Sequence, residues 1–278
     1  MKHFKNTVPF LFLLLLLLFL WQGSRAAEGV RQGLALCYRT VLPALFPAMV
    51  LCGMLSEGTE QLPFAPARTL WCTSLLCGYP LGLQAVARSY ARGILEEKQA
   101  LRLSACCSNA SPVFLILYAG SEVLGSTASG VALLLAQTAV SFLLAWRLGA
   151  LKKTALPPQP PCSVGRLFTA GLHSAVTSGM MLVGCVTFFS ALAALFPALP
   201  YLHGILELTG GLEGNFFAVA ALVGFSGCTV LLQNIACLTE AGLSPLPYLM
   251  GRAVYLFGVP IFGILLQNLT NGEIRVII

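Results

Sequence analysis

The residues best suited to chemistry in this chain are polar groups set beside glycine breaks inside long apolar stretches. Cys77-Gly78-Tyr79-Pro80-Leu81-Gly82 and Gly224-Phe225-Ser226-Gly227-Cys228-Thr229 interrupt two such stretches, and a glutamine follows each (Gln84, Gln233). A third break, Ser108-Asn109-Ala110-Ser111-Pro112, lies between them. In hydrocarbon every freed backbone group must find a partner, so irregular backbone persists only where protein or a polar cavity surrounds it. Hydroxyl and amide groups at such breaks can bind a small, flat, polar or anionic solute. Helix starts after Gly82, Asn109 and Thr229 would turn positive N-terminal ends toward it. The candidate solute-binding residues are therefore Gly78, Tyr79, Pro80, Gly82, Gln84, Ser108, Asn109, Ser111, Ser226, Gly227, Thr229 and Gln233. Arg88 is a candidate anion contact that can also snorkel to the membrane surface, and the same holds for Arg252. The competing reading makes these Ser, Thr and Asn residues helix caps and interhelical hydrogen bonds.

The elements that must position these groups follow from composition. The 278 residues are 57% hydrophobic and 9% charged, with a mean hydropathy of +0.84. That composition points to an all-α polytopic membrane protein in a lipid bilayer. The net charge of +6 collects near segment ends and serves topology; without a basic stripe and interleaved aromatics, nucleic acid is not expected as a partner. All ten acidic residues are glutamate, which excludes a Ser-His-Asp triad. Gly224-Phe225-Ser226-Gly227 misses the nucleophile-elbow pattern, and neither a zincin helix nor a phosphate-binding loop occurs, so no enzyme and no cofactor is expected. The ten cysteines form no ligand spacing with histidine and read as buried free thiols rather than a metal site.

Lys2 and Lys5 precede an apolar run from Val8 to Trp21. It reads as an uncleaved first helix with a cytoplasmic N-terminus, although Ser24-Arg25-Ala26 would also serve as a cleavage site. Ala27 to Arg39 suits an interfacial amphipathic helix, and Val41 to Leu55 a second span. Thr69 to Arg92 would be about 36 Å long as one helix. Basic residues at both its ends (Arg68, then Arg88, Arg92 and Lys98) favour a re-entrant hairpin with both ends in the cytoplasm. A crossing helix broken at 108–112 and ending near Ala119, an outer turn, and a return from Ser126 to Trp146 follow. The basic, proline-rich linker 151–166 is expected in the cytoplasm, as a stiff spacer.

In the second half, Leu167 to Leu195 leads outward. Phe196 to Glu213 is an outer segment with His203, Glu207 and Glu213. Glu207 and, earlier in the chain, Glu122 are candidates to carry coupled protons, with solvation in the outer loops as the favoured reading. His203 and Glu207 without a third ligand do not argue for a metal. Asn215 to Glu240 reads as a second hairpin, entering from the outer face because Glu213 and Glu240 bracket it. Pro247 to Gln267 then crosses inward, leaving Arg275 in the cytoplasm. A shift of 149 positions superposes Gly78 on Gly227, Gln84 on Gln233 and Gly93 on Gly242, which suggests an inverted repeat. The expected organisation is an N-terminal part (1–40), a first repeat (41–150), the linker, and a second repeat (167–278).

Cys77-Gly78-Tyr79-Pro80-Leu81-Gly82-Leu83-Gln84, Ser108-Asn109-Ala110-Ser111-Pro112-Val113-Phe114 and Ser226-Gly227-Cys228-Thr229-Val230-Leu231-Leu232-Gln233 resemble motifs of the YlbJ-type sporulation integral membrane proteins. These belong to the nucleoside-recognition, or gate, domain group. The resemblance runs from about Gly33 to Leu266. It departs at Gln84, where the family pattern has lysine, at Leu231, where it has histidine, and at Ser111, where it has glycine. It implies a fold similar to the core of concentrative nucleoside transporters, with two re-entrant hairpins and two broken helices around the solute. It also implies a role in moving dipicolinic acid across the outer forespore membrane, with a nucleoside or another organic anion as the alternative. A non-transporting scaffold in spore-envelope assembly is the reading from a different class. A coupling proton or sodium ion and a homo-oligomer are compatible with the sequence. The bacterial cell membrane or the outer forespore membrane is the expected location.

Overall fold

A computed structural model describes residues 2–58, 66–151, 163–196 and 201–277. The linker expected at 151–166 falls largely outside them, as does Cys162. The described residues form thirteen α-helices: α1 (Lys2–Trp21), α2 (Gly23–Leu36), α3 (Leu42–Gly58), α4 (Pro66–Cys77), α5 (Leu81–Ala91), α6 (Glu97–Ser104), α7 (Thr127–Leu148), α8 (Val164–Ala194), α9 (Leu202–Leu206), α10 (Leu208–Gly211), α11 (Phe216–Phe225), α12 (Gly227–Glu240) and α13 (Leu246–Ile277). Two π-helical segments, Cys37–Val41 and Phe114–Val123, join α2 to α3 and continue the chain after α6.

Among the described residues, four spans are long and apolar enough to cross a membrane: Thr127–Leu148, Val164–Ala194, Phe216–Glu240 and Leu246–Asn268. The pair Pro9–Trp21 and Gly23–Val41, bent by 94°, makes a fifth if counted as one. The fold is that of an all-α protein consistent with several membrane crossings.

Glycines set how closely the helices approach. The segment expected to lie flat at the interface instead runs through the π segment into α3 and packs along α8. Gly29 faces Ser190 and Ala191, Gly33 faces Thr187, and Gly53 meets Gly171. A Cβ on Gly53 would stand 2.8 Å from the Cα of Gly171, where only backbone can give way. Gly53→Leu should therefore destabilise by about 1–3 kcal/mol, read as a lower thermal midpoint in detergent. Gly184→Ala, with nothing near its Cβ, should melt like the parent.

The first break does reverse the chain. Both ends of the α4–α5 pair lie on one side: Arg68 donates to the Leu151 carbonyl at 3.4 Å, and Arg92 pairs with Glu57 at 2.6 Å. A Cβ on Gly82 would sit 2.5 Å from the Cβ of Ser74. In a straight helix those residues would be about 12 Å apart. α6 and the π segment then cross as one broken path beside α7, pairing Gln99 with Ala150, Ala110 with Gln137 and Gly120 with Gly130. The second half of this path reaches Val123, beyond the expected Ala119.

The second break does not reverse the chain. Phe216–Glu240 is a single 25-residue span whose first half, α11, runs antiparallel against α13, with a further hydrogen bond to α13 from α12. Phe216 faces Gly263, Gly224 faces Tyr255, and Asn234 reaches the Tyr248 hydroxyl. The hairpin expected at 215–240 is thus one broken span, long and apolar enough to cross a membrane. The 149-position offset would lay a hairpin tip on that span and does not describe the fold. The short pair is instead α9–α10, within the stretch expected to be an outer segment. Gly204 and Gly211 touch across it, and Tyr201 at one end donates to Glu213 at the other. This extra span also reverses α13. Gly258 lies on Val140 and Gly263 on Ala136, so α13 leads from the Gly149 end of α7 toward the Ser126 end. Its C-terminus therefore leaves on the side opposite Gly149, not beside the linker as expected.

The cysteines also depart from expectation. Cys52 and Cys77 form a disulfide between α3 and the end of α4, Cys72 is exposed, and Cys185, Cys228 and Cys237 are half-buried.

Candidate functional site

Two tips and two breaks converge. The tip of α4–α5 bears Gly78, held at φ +75°, with the Tyr79–Pro80 peptide cis. Gly78 lies against Ser111 of the first break: a Cβ there would meet the Ser111 nitrogen at 2.7 Å. The tip of α9–α10 is Leu206-Glu207-Leu208. It lies against the second break, where Ser226 and Gly227 both adopt positive φ (74° and 72°). Thr229 donates to the Leu206 carbonyl at 3.0 Å.

Between them is a cavity of about 60 Å³ whose wall includes Tyr79, Pro80, Ser111, Glu207, Thr209 and Thr229. Ligand pockets usually measure ~300–1,000 Å³, so the tips are closed in this structure. The N-terminal ends of α5, of the helix restarting at Pro112 and of α12 border the cavity, at Leu81, Val113 and Thr229. Each brings the positive partial charge of a helix start, although at the Pro112 start the Phe114 N–H is already bonded to Ser111 Oγ. These helices start at Leu81, Pro112 and Gly227 rather than after Gly82, Asn109 and Thr229.

Of the sequence candidates, then, Tyr79, Pro80, Ser111 and Thr229 line the cavity, while Gly78 and Gly227 shape the contacts that close it. Gly82 has a packing role, pressed on Ser74 and the Cys107 carbonyl. Gln84 accepts a hydrogen bond from Ser178 of α8 at 2.7 Å. Arg88 lies outside the wall; it donates to Ser174 at 2.9 Å and stands 3.7 Å from Glu57.

Ser108 and Asn109 belong to a polar network behind the cavity. The Asn109 amide donates to the Cys106 carbonyl, Ser74 and Ser141, and its carbonyl oxygen accepts from the Tyr255 hydroxyl at 2.9 Å. Gln137 holds both the N–H and the C=O of Ala110. Ser108 Oγ accepts from Asn234 at 3.0 Å. For Asn109 the capping reading therefore prevails. Among the described residues, Ser226 Oγ and both amide atoms of Gln233 are buried without a hydrogen-bond partner.

Two residues overturn their expected places. Glu207, expected in solvent, is 1% exposed, and its carboxylate accepts the Thr209 N–H at 2.8 Å. Arg252, expected to snorkel, is 4% exposed. It donates to the carbonyl of Ser108 at 2.6 Å and of Gly224 at 3.3 Å, and its guanidinium carbon lies 4.1 Å from the Tyr255 ring centroid. One cation thus ties both breaks together, next to the C-terminal end of α11, where the helix dipole favours positive charge. A signal for Glu207 was present in Gly204-Ile205-Leu206-Glu207-Leu208-Thr209-Gly210-Gly211: an acid in an apolar run flanked by glycines. Among the described residues no cluster of His, Cys or Glu has the makings of a metal site.

No protein-family profile, curated protein or solved structure matches this chain.

Proposed function

We propose that this chain is a membrane transporter for a small organic solute, which it holds between the two tips and the two helix breaks. The observation that carries the proposal is the shared cavity. Irregular backbone from four separate segments meets there, and polar side chains from all four line it. The rest of the wall is apolar, with Val41, Leu45, Met49 and Leu182 among it. Interrupted helices that bring a few polar groups together inside an apolar segment are a feature of carriers that move a solute by alternating access. The order short helical pair, broken crossing, unbroken crossing occurs in α4–α7 and again in α9–α13. It supports two repeats of opposite orientation, with α4–α5 and α9–α10 as the re-entrant hairpins. Since the cavity is small, a solute enters only when a tip swings away from its break.

Dipicolinic acid, moved across the outer forespore membrane, is the first substrate to test, on the motif resemblance and on the three helix N-termini at the cavity. A nucleoside is the second reading, favoured by Glu207. The cavity wall contains this carboxylate and no lysine or arginine, which suits a neutral solute with hydroxyl donors. Glu207 is also the group placed to carry a coupling proton.

Uptake of labelled dipicolinate and of uridine into proteoliposomes tests the proposal. Saturable uptake of either, lowered about tenfold or more by the paired change Ser111→Ala with Thr229→Val, supports it. Under the nucleoside reading Glu207→Gln depresses uridine uptake; under the dipicolinate reading it leaves dipicolinate uptake intact or raises it. Vesicles no faster than protein-free controls for both solutes favour the scaffold reading.

A further inference from the structure

The two tips are held differently, and the difference is covalent. Cys77 immediately precedes Gly78 at the first tip and stands in the cavity wall. Its disulfide partner on α3, Cys52, immediately precedes Gly53, where the backbones of α3 and α8 touch at Gly171. The disulfide thus joins a fixed contact between two long helices to the residue beside the contact that closes the cavity. Both cysteines are 7% exposed and pack with Met49, Leu81 and Ala175. Beyond the tip, α5 is fastened further: Gln84 is bonded to Ser178 and Arg88 to Ser174, both on α8, and Arg92 to Glu57.

The second tip has no such tie. Its arms have five and four residues, and among the described residues no disulfide reaches it. Noncovalent contacts hold it, such as the Thr229 bond to the Leu206 carbonyl. The two hairpins also face opposite ways. The ends of α4–α5 lie at Leu151 and Glu57. α9–α10 leads into Phe216, which meets Gly263 toward the Ser126 end of α7. A carrier that works by alternating access opens to each face in turn, so a tie on one tip bears on one face only.

We infer that the Cys52–Cys77 disulfide is a redox lock on the first tip: while it is intact the cavity opens by the second tip, and opening to the Glu57 face is restrained until the disulfide is reduced. This rests on the transport reading and adds to it a division of labour between the tips and a means of control. The reductant is a dithiol. Its thiolate attacks one sulfur of the disulfide to give a mixed disulfide, and its second thiol then displaces the remaining cysteine. Two electrons and two protons pass from the dithiol, which leaves as a cyclic disulfide, to Cys52 and Cys77, which become thiols. Because Cys77 lines the cavity, a small dithiol reaches the bond when the second tip is open.

The test measures dipicolinate and uridine uptake into proteoliposomes by the parent, before and after dithiothreitol, and by a Cys52→Ala, Cys77→Ala protein. Reduction should speed uptake of whichever solute is carried about tenfold, one decade within the ~0.1–10% that a minor conformation usually occupies. The paired variant should match the reduced parent, with or without dithiothreitol. Both should also melt below the oxidised parent, since the constraint on the unfolded chain is gone. Faster uptake by a less stable protein separates a lock from a disulfide that merely supports the fold, whose loss would lower both. Hydrogen exchange gives a readout independent of transport: the bonded amides of Gly78, Gly82 and Gln84 should exchange faster after reduction. Uptake that is equal or slower after reduction and in the paired variant overturns the lock and leaves the transport reading intact. No uptake in any form, with faster exchange at the tip, overturns the transport reading and leaves the restraint standing. Neither uptake nor faster exchange overturns both.

Discussion

Arg252→Met should lower stability by about 3 kcal/mol and abolish solute uptake. The substitution removes a buried charge, which by itself relieves a desolvation cost. Against that, it strips the Ser108 and Gly224 carbonyls of their donor. Both carbonyls belong to helix breaks, so no neighbouring turn can take them over. Each buried acceptor left unpaired costs about 1–3 kcal/mol, and the lost bonds were charge-assisted. The two losses together exceed the relief. Arg252→Lys should recover only part of the stability, because a single ammonium cannot reproduce the fork that spans both breaks. Thermal unfolding in detergent checks this, and an Arg252→Met protein that melts like the parent would remove Arg252 from the account.

Gly78→Ala is the second large effect, expected at about 2–4 kcal/mol. Two costs add. An L-residue at φ +75° pays the left-handed backbone penalty, about 1–2 kcal/mol. The new Cβ would also meet the Ser111 nitrogen at 2.7 Å and its Cβ at 2.9 Å, so tip and break must separate. Gly93→Ala supplies the control. Gly93 has nearly the same φ, +74°, and nothing within 4 Å of a Cβ. It should lose only the backbone contribution and keep uptake. The difference between the two variants isolates the contact that closes the cavity.

The long spans of α7, α8 and α13 were legible because twenty or so mostly apolar residues with few charges admit few other structures. The first break was legible through Pro112, which cannot continue a helix, and the first hairpin through Arg68, Arg88 and Arg92. The second break was misread for a physical reason. Gly224 to Cys228 resembles Gly78 to Gly82 in composition, but a pair of positive-φ residues can interrupt a crossing helix as readily as reverse it. Its placement rested on Glu213 and Glu240, and acidic residues have little influence on membrane topology. The true short pair, α9–α10, has arms of five and four residues, too short to show any helical period. Arg252 was out of reach for another reason. Its acceptors lie 28 and 144 residues earlier in the chain, so no local pattern distinguishes it from an arginine that snorkels.

Within the site, the sequence located the residues of the breaks but not their division of labour. Tyr79, Ser111 and Thr229 face the cavity, whereas Asn109 and Ser108 face away into the network of Tyr255, Asn234 and Arg252. The residue types are the same on both sides of the break. Only the turn of the backbone between Asn109 and Ser111 separates them.

Under the transport proposal the two tips meet around the solute and must part to admit it. Its most direct test is dipicolinate and uridine uptake by a Tyr79→Cys, Thr209→Cys protein whose other cysteines are serine, measured before and after the two tips are tethered. The cysteine-free protein without the two new cysteines serves as the reference. The account predicts that a short thiol cross-linker stops uptake of whichever solute is carried, and that cleaving the cross-link restores it. Uptake that continues unchanged across the tethered tips would contradict it.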